Sequence, residues 1–169
     1  VAVGRLSEQK DYFFLIKGFK VFADAHKDWK LHIYGDGELK EQLSGEIKRV
    51  GLADKIILKG RTDNVANAIS SATIYVMTSQ FEGSPNLMEA MAVGVPCISS
   101  NCPCGGPKML INNGNNGFLY EVGNIDEFLD RLNVLAENSE LRIKFSKSAK
   151  NRAKDFTEEK VFNLWHKYL

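Results

Sequence analysis

Apolar and polar positions along this chain follow two periods, and the periods take turns. Short apolar runs occur at VAV (1–3), WKLHIYG (29–35), KIILKG (55–60), TIYVMTS (73–79), VPCISS (95–100) and GFLYEV (117–122). Each is followed by a stretch whose apolar residues recur every three or four positions, as on one face of a helix. After the first run, Leu15, Ile16, Phe19, Phe22 and Ala23 share such a face. GELKEQLSGEIKRVG, DNVANAISSA, PNLMEAMAVG, PKMLINN and IDEFLDRLNVLAE follow the other five. Six β-then-α units with short connections predict an α/β fold: a six-stranded parallel sheet with helices on both faces and right-handed crossovers. No strand pattern returns after Glu137. SELRIKFSKSAKNRAKDF and TEEKVFNLWHKYL predict two C-terminal helices, the second capped at Thr157 with an incomplete capping box, because Lys160 stands where an acid would. There is no internal repeat, low-complexity tract or linker, so residues 1–169 are expected to form a single domain.

In such sheets ligands sit outside the carboxyl ends of the strands, so candidate chemistry belongs to the loops that follow them. Gly4 ends the first strand, and Arg5 and Lys10 come before and at the next helix start. Two cations beside a glycine suit a phosphate or diphosphate; the alternative is a solvated surface pair. Gly35-Asp36-Gly37 begins like a dinucleotide fingerprint, but Lys40 occupies the third glycine position. A tight strand-to-helix turn is preferred, with Asp36 near the positive end of the helix. Gly60 ends the third strand, Arg61 follows it, and Asp63 is placed to cap the next helix.

The fourth loop, FEGSPNLMEAM (81–91), is richer. Ser84 is a good N-cap and Pro85 suits the first helical position. The free amides of that turn form an anion site. Glu82 precedes it, and Glu89 lies just over a turn inside. A carboxylate on a helix packed against a sheet needs partners. Ribose or sugar hydroxyls would serve, since a carboxylate accepts two at once; a neighbouring Lys or Arg, or water, would also serve. In the fifth loop, Gly105-Gly106-Pro107 permits either close backbone approach to a ligand or simply a tight turn.

Charge and cysteine usage narrow the field. Net charge is +1 with no Lys/Arg run longer than two, which argues against a nucleic-acid partner. No apolar run approaches the ~18–20 residues needed to span a bilayer, and the opening VAVGRL is no signal peptide. The chain opens inside a strand pattern and without Met, as expected of a piece of a longer protein cut at a domain boundary. The three cysteines, Cys97, Cys102 and Cys104, offer no disulfide framework and point to a reducing, cytoplasmic compartment. Cys102-Pro103-Cys104 is too close for a relaxed zinc pair, and there is no second pair; all three are expected to be free thiols.

Taken in order, VGRLSEQKDYFFLIKGF, IYGDGELKEQL, FEGSPNLMEAMAVGVPCISS, CPCGGPKMLI and NNGFLY resemble the C-terminal domain of the GT-B glycosyltransferases of family 4, the group 1 glycosyltransferases, over roughly residues 1–137. The CPCGGP segment is most similar to members that build lipopolysaccharide or capsular polysaccharide. The resemblance implies a Rossmann-like, three-layer α/β/α domain that holds a nucleotide-sugar donor. The N-terminal domain of the same chain would hold most of the acceptor site. It implies that Arg5 and Lys10 meet the donor diphosphate, Glu82 the donor sugar hydroxyls and Glu89 the ribose. Gly4 and the backbone of Gly83, Ser84, Pro85, Asn86 and Leu87 would adjoin the diphosphate and sugar, and Gly60 and Arg61 the base. It further implies transfer with retention, no bound metal or other cofactor, and a UDP-sugar donor. The acceptor would be a glycan or lipid-linked, used in the cytoplasm or peripherally at the inner face of the membrane. The alternatives are a nucleotide-sugar 2-epimerase of the same fold and a non-catalytic nucleotide-binding regulatory module. Two departures stand out. Six residues rather than seven separate Glu82 from Glu89, and Met109 replaces the glutamate common in GGPxE. The shortening is expected in the turn between Gly83 and Leu87, leaving the register of Glu89 unchanged and Glu82 the less secure.

Overall fold

The computed structural model describes residues 1–160. The strands are β1 Ala2–Val3, β2 Leu31–Tyr34, β3 Ile56–Gly60, β4 Tyr75–Met77, β5 Cys97–Ser100 and β6 Phe118–Tyr120. The helices are α1 Tyr12–Ala25, α2 Lys40–Arg49, α3 Val65–Ser70, α4 Pro85–Val93, α5 Gly106–Leu110, α6 Ile125–Glu137 and α7 Ser139–Ala153. All six predicted strands form and all pair in parallel. Thr157 is extended and a helix opens at Glu158; the rest of the last predicted helix lies outside the described residues.

The predicted six-stranded sheet is instead two three-stranded sheets, ordered β1-β2-β3 and β4-β5-β6. β1 lies between the two sets. It pairs fully with β2, and only Val1 reaches β4: its nitrogen donates to Ile74 O at 2.7 Å and its carbonyl accepts from Val76 N at 2.9 Å. Those two bonds align the halves in the order β3-β2-β1, β4-β5-β6.

What carries across this seam is apolar packing. Successive strand residues point to opposite faces, and each face has its own core. Ala2, Ile33, Val76, Ile98, Phe118 and Tyr120 join Leu15, Ile16, Phe19 and Phe22 of α1 and Phe128 and Leu132 of α6. Val3, Tyr75, Met77, Cys97 and Leu119 join Ile69 of α3, Leu87, Ala90 and Met91 of α4, and Ala149 of α7. Both cores include residues from both half-sheets, so the domain is a three-layer sandwich despite the broken ladder. Full burial of each large side chain contributes about 1.5–3 kcal/mol.

Caps set the helix starts. Asp11, in the left-handed region at φ 50°, accepts from Phe14 N at the head of α1. Asn64, not Asp63, caps α3, its Oδ1 accepting from Asn67 N at 2.8 Å; the capping position falls one residue later than the sequence implied.

Candidate functional site

The loop after β1 is pressed against the turn after β2. Gly4 N donates to Tyr34 O, Leu6 N to Asp36 O, and Leu39 N to Leu6 O, at 2.9–3.0 Å. A Cβ on Gly35 would lie 1.9 Å from Gly4 O, and one on Gly37 would lie 2.4 Å from Leu6 O. Gly35-Asp36-Gly37 is therefore the tight turn its spacing implied. Its glycines are required because another stretch of backbone occupies the side-chain space.

The loops after β1 and β4 meet across the seam. Thr78 Oγ1 donates to Lys10 O at 2.7 Å, Gln80 N to Gln9 O at 2.9 Å, and Gln9 Nε2 to Phe81 O at 2.7 Å. Asn86 Nδ2 donates to Val3 O at 3.0 Å. Within this stitching Lys10 runs beside Gly4, where a Cβ would lie 2.7 Å from Lys10 Cε. Its ammonium forms an ion pair with Glu82 Oε2, and the two side chains are only 13% and 12% exposed. Tyr12 donates its hydroxyl to Gly4 O at 3.2 Å. Burial, and then the negative charge of Glu82, push its phenol well above its ordinary value, so it remains a neutral donor.

At the head of α4, Ser84 is the N-cap residue and Pro85 the first helical residue, as predicted. Ser84 does not cap with its side chain. It is buried in the left-handed region at φ 69°, a conformation costing a non-glycine residue on the order of 1 kcal/mol or more. Its hydroxyl turns back toward Glu82 O at 3.4 Å. Among the described residues the amides of the first turn, Asn86 and Leu87 included, thus keep their donors free, as helix starts do without a cap.

A cleft of about 580 Å³ opens beside these loops, lined by Gly4, Arg5, Arg61, Thr62, Val65 and Asn86 among others. Arg5 reaches it from an exposed position and pairs with Glu38 at 3.2 Å. Gly60 stands behind the cleft, its carbonyl accepting from Gly35 N at 2.8 Å. Other hollows adjoin Trp29–Leu31 with Thr73–Ile74, and Asn112–Asn116, segments that precede strands; ligands of this architecture bind at the opposite ends. The structure therefore brings Gly4, Arg5, Arg61 and Asn86 to one cleft and joins Lys10 to Glu82. Glu89 does not line the cleft. It is half-buried on the second turn of α4 and makes no ion pair or side-chain hydrogen bond among the described residues. Sequence reasoning missed Tyr12, Gln9 and Thr62; only the first two carry a signal, adjacency to Lys10 and Asp11 at a helix start.

The family model described as "Glycosyl transferases group 1" matches residues 1–152. The chain belongs to this family. As a group 1 glycosyltransferase chain it is 36% identical over 166 residues to an uncharacterised glycosyltransferase of Haemophilus influenzae, covering 98% of this chain and 47% of that protein. It is 40% identical over 120 residues to the lipopolysaccharide 1,6-galactosyltransferase of Salmonella typhimurium, covering 68% of this chain and 33% of the other. Among solved structures, a TarM mutant of S. aureus in complex with Fondaparinux, alpha-GlcNAc-glycerol and UDP superposes with a TM-score of 0.92 at 26% identity, over 98% of this chain and 34% of TarM. The apo lipopolysaccharide outer core galactosyltransferase WaaB gives 0.81 at 30% identity, over 98% and 46%. The chain thus spans about half, or less, of the length of these relatives. No helix among the described residues is long and apolar enough to cross a membrane.

Proposed function

We propose that this domain binds the nucleotide-diphosphate sugar, of UDP type, for a retaining glycosyltransferase that builds cell-surface polysaccharide. The acceptor is a glycan or lipid-linked, and the N-terminal domain of the same protein holds it. The observation that carries the reading is the Lys10–Glu82 pair, set beside the uncapped start of α4 and next to a cleft bearing Arg5 and Arg61.

The arrangement suits the chemistry of transfer. The bond between the anomeric carbon and the diphosphate breaks, and the diphosphate leaves with the electron pair and added charge. An ammonium has three donors; in Lys10 one is spent on Glu82, leaving two for phosphate oxygens. Arg5 and the α4 amides meet the remaining charge, each well-placed donor contributing about 3–4 kcal/mol to the transition state. Glu82 keeps Oε1 for a sugar hydroxyl. Gly4 lets the diphosphate approach and Arg61 borders the base; the ribose role expected of Glu89 requires its side chain to turn toward the cleft, which it does not line. No metal is needed, because fixed cations and amides do its work. The UDP assignment draws on TarM, whose complex contains UDP, and on an Escherichia coli relative named for a UDP-Gal donor, 31% identical over 154 residues.

Calorimetry on the full-length protein with UDP, GDP and ADP tests the site; selective UDP binding is expected. No binding of any of the three at millimolar concentration would refute it. Incubation with a UDP-sugar and a lipid-linked glycan then separates transfer from epimerisation, and the anomeric coupling of the product by NMR decides retention. Binding with neither reaction would favour a regulatory module.

A further inference from the structure

The loop that follows β5 grips the backbone of Glu82 with a thiol. Glu82 N–H donates to Cys104 Sγ at 3.0 Å, and the Cys104 thiol donates to Glu82 O at 3.0 Å. Gly106 lies so close that a Cβ there would meet Glu82 O at 2.7 Å and Ser84 Oγ at 3.0 Å; the close approach allowed by Gly105-Gly106-Pro107 is made to this backbone. Cys102 Sγ is 3.2 Å from Cys104 Sγ. A turn closed by Gly105 N to Cys102 O at 3.1 Å, with Pro103 at its first corner, holds the two sulfurs together. Cys104 is exposed, whereas Cys102 is buried.

We propose that Cys102 and Cys104 are a redox-active dithiol that closes to a reversible disulfide and, in closing, releases the Glu82 backbone. The two thiols divide the roles. The Glu82 amide, and then the Cys102 thiol, hold Cys104 below its ordinary value, while burial, and then Cys104, push Cys102 up to about 11. Cys104 ionises first and is the accessible nucleophile. The co-reactant is a low-molecular-weight disulfide. The Cys104 thiolate attacks one of its sulfurs, the S–S bond breaks, and one thiolate leaves with the electron pair. Cys102 then gives up its proton and attacks Cys104 Sγ, expelling the second thiolate. The Cys102–Cys104 pair is oxidised to a disulfide, and the external disulfide is reduced to two thiols.

Closure changes what Glu82 is tied to. A bonded sulfur pair sits about 2.05 Å apart, so Cys104 Sγ moves toward Cys102 by roughly 1 Å. It also loses the hydrogen it donates to Glu82 O. Because Glu82 carries Lys10 on its carboxylate, loosening this residue acts on the proposed donor site; that last step rests on the function proposed above.

The test treats the full-length protein with glutathione disulfide, quenches with an alkylating reagent and maps the digest without reduction. The peptide bearing both cysteines is expected to escape alkylation and to regain it after dithiothreitol. Hydrogen exchange at the Glu82–Ser84 backbone is expected to rise on oxidation and to be restored by reduction. Cys102→Ser and Cys104→Ser should each abolish the oxidant response. Independent alkylation of both thiols after oxidant, or a disulfide with unchanged exchange at Glu82–Ser84, would overturn the proposal. UDP affinity of the oxidised protein should be about tenfold weaker, the worth of one well-placed hydrogen bond. Failure of the reduced protein to bind UDP would count against the donor site alone, and the dithiol would stand or fall on mapping and exchange.

Discussion

Lys10 serves both the fold and the proposed chemistry, and the two roles can be separated. In Lys10→Ala the Glu82 carboxylate loses its cation while remaining mostly shielded from water, at 12% exposure. Breaking a buried pair from one side costs about 3–5 kcal/mol. Partial solvent access puts this pair at the lower end, about 3 kcal/mol. Independently, removing a donor from a developing charge lowers turnover by about 10²–10³-fold, or ~3–4 kcal/mol of transition-state stabilisation. The second substitution, Glu82→Gln in the Lys10→Ala background, removes the orphaned charge. Urea unfolding should then show most of the lost stability regained, which isolates the structural share; the donor-site share is read from transfer by Lys10→Ala itself, compared with Glu82→Gln alone. Lys10→Ala with turnover within about threefold of the parent would refute the donor-site role. Recovery of turnover together with stability in the double variant would show that Lys10 acts only through Glu82.

Further outcomes follow from neighbouring geometry. Gly35→Ala, at φ 149° and with a Cβ 1.9 Å from Gly4 O, should destabilise by about 2–4 kcal/mol, read as a lowered urea midpoint with unchanged slope; Gly45→Ala, inside α2 with open space around it, should stabilise by about 0.5–1 kcal/mol. Arg5→Ala breaks only an exposed pair with Glu38, so stability should move by less than about 0.5 kcal/mol, while calorimetry should show UDP bound roughly tenfold more weakly and with less dependence on salt. Transfer by the full-length protein should persist in excess EDTA, and loss restored by Mg²⁺ or Mn²⁺ would contradict the metal-free reading.

The sequence made the elements legible because strands buried on both faces must be apolar and their helices amphipathic. Leu15, Ile16, Phe19, Phe22 and Ala23 are all buried, as their spacing required. The break between the half-sheets was not legible. Apolar periodicity says nothing about hydrogen-bond count. Asp63 and Asn64 are both capping types, and only geometry chooses between them. Ser84 was correctly placed at the helix start, but its left-handed backbone, which turns the hydroxyl away from the amides, has no local signature in the sequence. The candidate loops were identified individually, whereas the pairing of Lys10 with Glu82, 72 residues apart, is a property of the strand order.

The seam between β1 and β4 has a consequence for how the molecule assembles. Side-chain bonds that cross it, among them Thr78 to Lys10, Lys10 to Glu82, Gln9 to Phe81 and Asn86 to Val3, close loops of 68 to 83 residues. Such contacts are rewarded only after the chain entropy of long loops has been overcome, so they form late. Neither half-sheet alone brings Lys10 to Glu82. During refolding, capture of a fluorescent nucleotide should therefore lag behind the far-ultraviolet signal of the helices, making ligand competence a report that the last join has closed.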